Sequence, residues 1–134
     1  MASTAGGAFG FASGLIIQEF GYDDDVDETL RQAVEAETGT TLVDEDYEDV
    51  ADSAIVWWRD EDGDVDDLTD LLVDAQANLD GAGLIWVLTP KARTTGAVPA
   101  AEVEEAAQTA GMHATSAASM GQHWSGIRLS SRGR

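Results

Sequence analysis

A chain of 134 residues without cysteine is sized for one domain with a modest core, and it excludes disulfides, thiolate metal sites and cysteine nucleophiles. Its formal net charge is −19, with 23 of the 26 Asp and Glu between Glu19 and Asp80, and five of the seven Lys and Arg from Lys91 onward. Phosphate binding needs a basic footprint, so this acidic body excludes nucleic acid and anionic membrane and favours a protein partner with a cationic surface; the same acidity also serves solubility.

In chain order, residues 1–8 are small and read as a flexible N-terminus without the basic residues and apolar core of a signal peptide. Residues 15–20 are a candidate first strand. Asp25 and Glu28 have capping-box spacing for the helix that follows, with Val26, Leu30, Ala33 and Val34 as its apolar stripe and Gly39 as its left-handed stop. Residues 40–43 are a short strand candidate.

Residues 52–90 carry the strongest signal. Two short runs rich in Val, Ile and Trp, at 52–58 and 83–90, flank an amphipathic stretch beginning near Asp64, with Val65, Leu68, Leu71, Leu72, Ala75 and Leu79 at helical spacing. This is a βαβ pattern, with Gly81-Ala-Gly83 as the expected helix stop. Pro99 is placed at a first helical position, with Val103, Ala106, Ala107 and Ala110 behind it and Gly111 as the stop. Residues 113–118 and 124–129 form an expected antiparallel hairpin around Met120-Gly121-Gln122. A single domain over 9–129 follows, with a flexible basic tail at 130–134. No apolar run reaches membrane-spanning length, and the absence of cysteine suits the cytoplasm.

Parallel α/β sheets bind ligands beyond the carboxyl ends of their strands, which directs the search for chemistry to the loops after Trp58 and Pro90. No catalytic set is legible there. Asp60-Glu-Asp-Gly-Asp64 is acidic enough for calcium, but an EF-hand alignment on Gly63 puts Trp58 and Thr69 where Asp and Glu are required, so no metal site is assigned. His113 and His123 are too few for a metal centre and lack a nucleophile motif beside them. Ser125 lies in Trp-Ser-Gly rather than a nucleophile elbow. Of Trp57 and Trp58, at least one must be core, because successive strand residues face opposite ways. The other, Trp58, either packs simply beneath a helix, the favoured reading, or is an interaction anchor with Arg59. Lys91 and Arg93 are candidates either for receiving an anionic group or for pairing with the acidic loop at 60–64.

Three stretches carry a resemblance. Asp52-Ser-Ala-Ile-Val, Leu79-Asp-Gly-Ala-Gly-Leu-Ile-Trp-Val-Leu and Ala110-Gly-Met resemble the second half of a class I methyltransferase. That resemblance implies a three-layer Rossmann-like α/β fold, with a mostly parallel sheet and a C-terminal antiparallel hairpin. The methyltransferase cofactor needs a glycine-rich turn after the first strand, whereas this chain has Gln18-Glu-Phe-Gly-Tyr-Asp-Asp-Asp25, which argues against methyl transfer. By layout, Glu19, Gly21 and Asp44 are the cofactor-binding candidates.

The chain is also similar to a small acidic actinobacterial family of unknown function. The similarity rests on residues 18–27, Leu42-Val-Asp-Glu-Asp46, Trp57-Trp-Arg-Asp60, Leu88-Thr-Pro-Lys91 and Trp124-Ser-Gly126, and it implies a cytoplasmic protein with no catalytic residues to carry over. The expected function is therefore non-catalytic binding or regulation without a cofactor. The alternative is a divergent S-adenosylmethionine-dependent enzyme. Homo-oligomerisation through a strand edge or the tryptophan region is compatible with either.

Overall fold

The computed structural model describes residues 9–131, and of residues 80–82 the backbone alone. The elements are β1 (Ile17–Phe20), α1 (Glu28–Thr38), β2 (Ala51–Trp57), α2 (Val65–Ala77), β3 (Leu79–Pro90), α3 (Ala100–Thr109), β4 (Met112–Met120) and β5 (Trp124–Ser131). They build one five-stranded sheet in the order β1-β2-β3-β5-β4. β1, β2 and β3 pair in parallel, while β5 runs antiparallel between β3 and β4. Four of the five strands therefore point the same way, and the α/β sheet with its C-terminal hairpin matches the fold read from the sequence.

Alternation along β2 divides the core between the two faces of the sheet. Ala54, Val56 and Trp58 meet Leu68, Leu72 and Ala75 of α2 and Val103, Ala106 and Ala107 of α3. Ile55 and Trp57 meet Leu30, Ala33 and Val34 of α1, together with Phe9, Phe11, Trp86 and Trp124. Each aliphatic side chain so buried contributes about 1.5–3 kcal/mol, which is why short helices with narrow stripes suffice. Trp57 and Trp58 are both core, one on each face.

Local chemistry sets the boundaries, and it corrects several expectations. The N-cap of α1 is Asp27, not Asp25: its carboxylate accepts from the Thr29 and Leu30 amides. Asp25 is drawn instead to Arg59. Asp64 caps α2 through a reciprocal box with Asp67. α2 ends at Ala77, before the glycines, and the chain enters β3 at Leu79. Gly81-Ala-Gly83 thus lies inside β3, within an irregularity that sets Ala51 opposite Leu79 but Ser53 opposite Leu84. Residues 40–43 contribute only the parallel bridge between Val43 and Gln18. Pro99 is the N-cap of α3, one place before its first helical residue. β5 continues through Ser131, so residues 130 and 131 belong to the sheet rather than to a tail. The expectations for residues 1–8 and 132–134 lie outside the described residues.

Candidate functional site

The carboxyl ends of β1 and β2 are held together by a buried carboxylate. Glu19 is only 4% exposed and accepts from the indole N–H of Trp57 at 2.9 Å. It also receives Nε and Nη2 of Arg31, from α1, at 2.7 and 2.9 Å. This bidentate pairing leaves the carboxylate no unpaired oxygen. Arg31 also donates to Glu28 at 2.9 Å and lies 4.7 Å from the centre of the Tyr22 ring. The hydrogen bond to Glu19, followed by that to Glu28, raises the guanidinium pKa above its already high ordinary value.

The turn after β1 is closed in the same manner. Gly21 has φ +78°, and a Cβ there would stand 2.2 Å from the Trp57 carbonyl oxygen, so the position requires glycine. Its N–H donates to Glu45 at 2.9 Å and its carbonyl accepts from Arg59 Nη1 at 2.8 Å. Arg59 is buried. It donates Nε to Asp25 at 2.9 Å and Nη2 to the other oxygen of the same carboxylate, and Nη1 also reaches the Trp57 carbonyl and Asp62, each at 3.3 Å. Burial alone would lower the Arg59 pKa, but its bonds to Asp25 and Asp62 outweigh that and raise it. The hydrogen bond from Arg59 in turn holds Asp25 below the usual carboxylate range.

Beside this network lies a cleft of about 400 Å³ lined by Glu19, Tyr22, Arg31, Asp44, Glu45 and Asp46. Its acidic wall is anchored from inside. Gln18 is fully buried and donates its amide to the carbonyls of Asp44 and Tyr47 at 3.0 and 3.2 Å, while Asn78 donates to the Gln18 side-chain oxygen at 3.2 Å and to the Tyr47 carbonyl at 2.8 Å. Two of the three cofactor candidates, Glu19 and Asp44, share this cleft, whereas Gly21 lines the neighbouring one with Trp57 and Arg59.

The expected surface anchor is placed differently. Trp58 packs against Leu68 and α2, and Arg59 is turned inward to Asp25, because each finds more partners inside than the surface offers. Lys91 donates Nζ to the Gly121 carbonyl at 3.1 Å, and Arg93 is exposed with φ +71°. Among the described residues neither pairs with the acidic loop at 60–64; the two loops meet through backbone, the Asp60 N–H donating to the Gly96 carbonyl at 2.9 Å. His123 lines a separate cleft with Asp25, Thr94, Thr95 and Trp124, and His113 is exposed on β4. No three His, Asp or Glu side chains among the described residues are arranged to hold a metal ion. No helix among them is long and apolar enough to cross a membrane.

Arg31 is a site residue that the sequence did not single out, and Gln18, Tyr22 and Asp25 entered only as part of the stretch after the first strand or as a helix cap. A signal existed for the first: Arg31 and Arg59 are the only basic residues before Lys91, and both are spent on carboxylates.

Sheet order and the antiparallel last strand resemble those of class I methyltransferase folds. The pyocyanin biosynthetic protein PhzM superposes with a TM-score of 0.66 at 12% identity, over 89% of this chain and 51% of PhzM, so the chain spans about half the length of that protein. Magnesium protoporphyrin IX methyltransferase from Synechocystis PCC 6803 gives 0.54 at 7% identity, over 89% of this chain and 71% of its own. By sequence, the chain belongs to the family described as protein of unknown function DUF3052, whose profile matches residues 6–133. The uncharacterized protein Rv2239c of Mycobacterium tuberculosis is 47% identical over 114 residues, 85% of this chain and 70% of the relative.

Proposed function

We propose that this is a non-catalytic, cytoplasmic binding or regulatory protein that receives a cationic protein partner on the acidic edge of its sheet. The observation that carries the reading is the closed turn after β1. There, where a Rossmann-like protein brings backbone against its ligand, the Gly21 carbonyl is taken by Arg59, its N–H by Glu45, and the Glu19 carboxylate by Arg31 and Trp57. What stays open is the cleft beside it, lined by Asp44, Glu45 and Asp46 on a loop fixed by Gln18, together with Tyr22 and the Arg31 that stacks on its ring. A lysine or arginine side chain would find carboxylates and an aromatic face together.

A divergent S-adenosylmethionine-dependent methyltransferase-like enzyme is the second reading. Its support is that Glu19 and Asp44 share one cleft, with Asp44 directly after the residue that bridges to β1.

Two measurements separate them. In thermal unfolding at fixed salt, a ligand at a hundred times its Kd adds about 2.7 kcal/mol, a rise of several degrees. The binding reading expects no shift with millimolar S-adenosylmethionine, and a saturable shift would replace it with the second. In calorimetry, a lysine- and arginine-rich peptide should bind saturably to the wild type and to an E102Q/E104Q/E105Q variant, but not to D44N/E45Q/D46N. Equal binding to both variants would reduce the acidic edge to a solubility device.

A further inference from the structure

The acidity of this chain is concentrated in residues 19–80, which hold 23 of its 26 Asp and Glu. From Lys91 onward it holds three Asp or Glu against five Lys or Arg, and the opposite end of the sheet from β1 finishes in β4, a nine-residue strand with the sequence Met-His-Ala-Thr-Ser-Ala-Ala-Ser-Met. β4 is last in the strand order, so among the described residues the sheet offers no further strand to its outward backbone N–H and C=O groups. All seven residues between Met112 and Met120 are exposed. The β1 edge differs: it is four residues long, and Val43 covers it with two backbone hydrogen bonds, of 2.8 and 3.1 Å.

Open edges are ordinarily protected by charge, proline or brevity. β4 has no Asp, Glu, Lys, Arg or Pro, and its one irregularity, between Ala114 and Ser116, leaves residues 116–120 in regular pairing with β5. The absence of charge selects the occupant. When a strand pairs antiparallel with its own copy about a twofold axis, every charged residue meets a stretch carrying the same charges, and like charges in opposition are destabilising. An uncharged strand pairs with its own copy without that cost, whereas a cationic partner is suited to an acidic edge. Residues 1–90, at −21, repel a second copy that approaches by the acidic side.

We propose that β4 is a homodimer interface, pairing antiparallel with β4 of a second copy to join two five-stranded sheets into one. Beside it lies a cleft of about 380 Å³ whose lining includes Thr89, Pro90, Val98, Ala117, Ser125 and Ile127. This contact is independent of the acidic cleft at the other side of the sheet.

Sedimentation equilibrium of the purified protein tests it. The wild type should approach twice the 14.1 kDa chain mass as its concentration rises. Dimerisation should strengthen with added salt, because screening relieves repulsion between acidic bodies, whereas a cationic-partner contact weakens. A117K/S119K should be monomeric with an unchanged far-ultraviolet circular dichroism spectrum, while V73K, at an exposed position of α2, should stay dimeric. Should A117K/S119K not fold, amide hydrogen exchange of the wild type supplies the test: β4 amides should be protected in concentrated solution and lose that protection on dilution. A monomer at all concentrations and salts, a dimer that survives A117K/S119K, a dimer lost in V73K, or β4 exchange independent of concentration would each overturn the proposal.

Discussion

At the scale of single residues, the closed edge depends on a few groups that cannot be exchanged. Gly21→Ala places a Cβ against the Trp57 carbonyl in a left-handed conformation, and should lower stability by about 3 kcal/mol in urea unfolding, of which about 1–2 is backbone conformation alone. Asp25 gives a pH signature. Its folded pKa is depressed by Arg59, so its contribution is present above the ordinary carboxylate pKa and is lost as pH falls through the lower folded value. Asp25→Asn should therefore cost about 1 kcal/mol at neutral pH, discounted because Asp25 is half exposed, and the gap from wild type should narrow below about pH 4. Unfolding curves collected across that range check both statements; a gap independent of pH would remove Asp25 from the ion pair. Of this residue-level detail the sequence shows little. Glu19 and Asp44 follow from layout, but no periodicity reveals that Arg31 would fold back onto Glu19, or that Arg59 would turn inward rather than out.

At the scale of elements, the sequence is far more legible. α1 and α2 announce themselves through apolar residues at helical spacing, and β2 and β3 through β-branched and tryptophan-rich runs, because those patterns are the direct cause of burial. Boundaries are less so, since they depend on which carboxylate wins a set of amides. Asp23, Asp24, Asp25 and Asp27 all precede α1; Asp27 takes the cap amides, while Asp25 is paired with Arg59. Asp27→Ala should then cost about 1 kcal/mol and fray the first turn of α1. Faster amide exchange at Thr29 and Leu30 would show it. Residues 40–43 have strand-forming composition yet give a single bridge, because the chain must turn at once into the loop held by Gln18. The glycines at 81 and 83 misdirect the reading of the end of α2 because they accommodate an irregular strand rather than a helix stop.

At the scale of the whole molecule, charge and topology run together. The sheet passes from an acid-rich side at β1 to an uncharged edge at β4, and the uneven spread of charge along the chain that underlies this gradient is legible in the sequence itself. The two proposed contacts lie at opposite sides of that gradient and respond to salt in opposite directions. A chain could hold both at once, a pair of copies presenting two acidic clefts to partners on its outer flanks. Separation of the two also means that neutralising Asp44, Glu45 and Asp46 leaves β4 untouched.

The tryptophans carry a different consequence. Of the four in the chain, Trp57, Trp86 and Trp124 are buried together beneath α1, with the Trp57 and Trp124 rings edge to face at 4.8 Å. Trp57 is hydrogen-bonded to Glu19, and Arg59 lies 5.5 Å from the Trp124 ring centre. The Trp57 and Trp124 indoles are close enough to share excitation energy, and both lie beside the arginine-held carboxylates. The fold thus contains its own optical reporter, and any occupant that loosens the edge changes the colour or brightness of the protein without an attached dye.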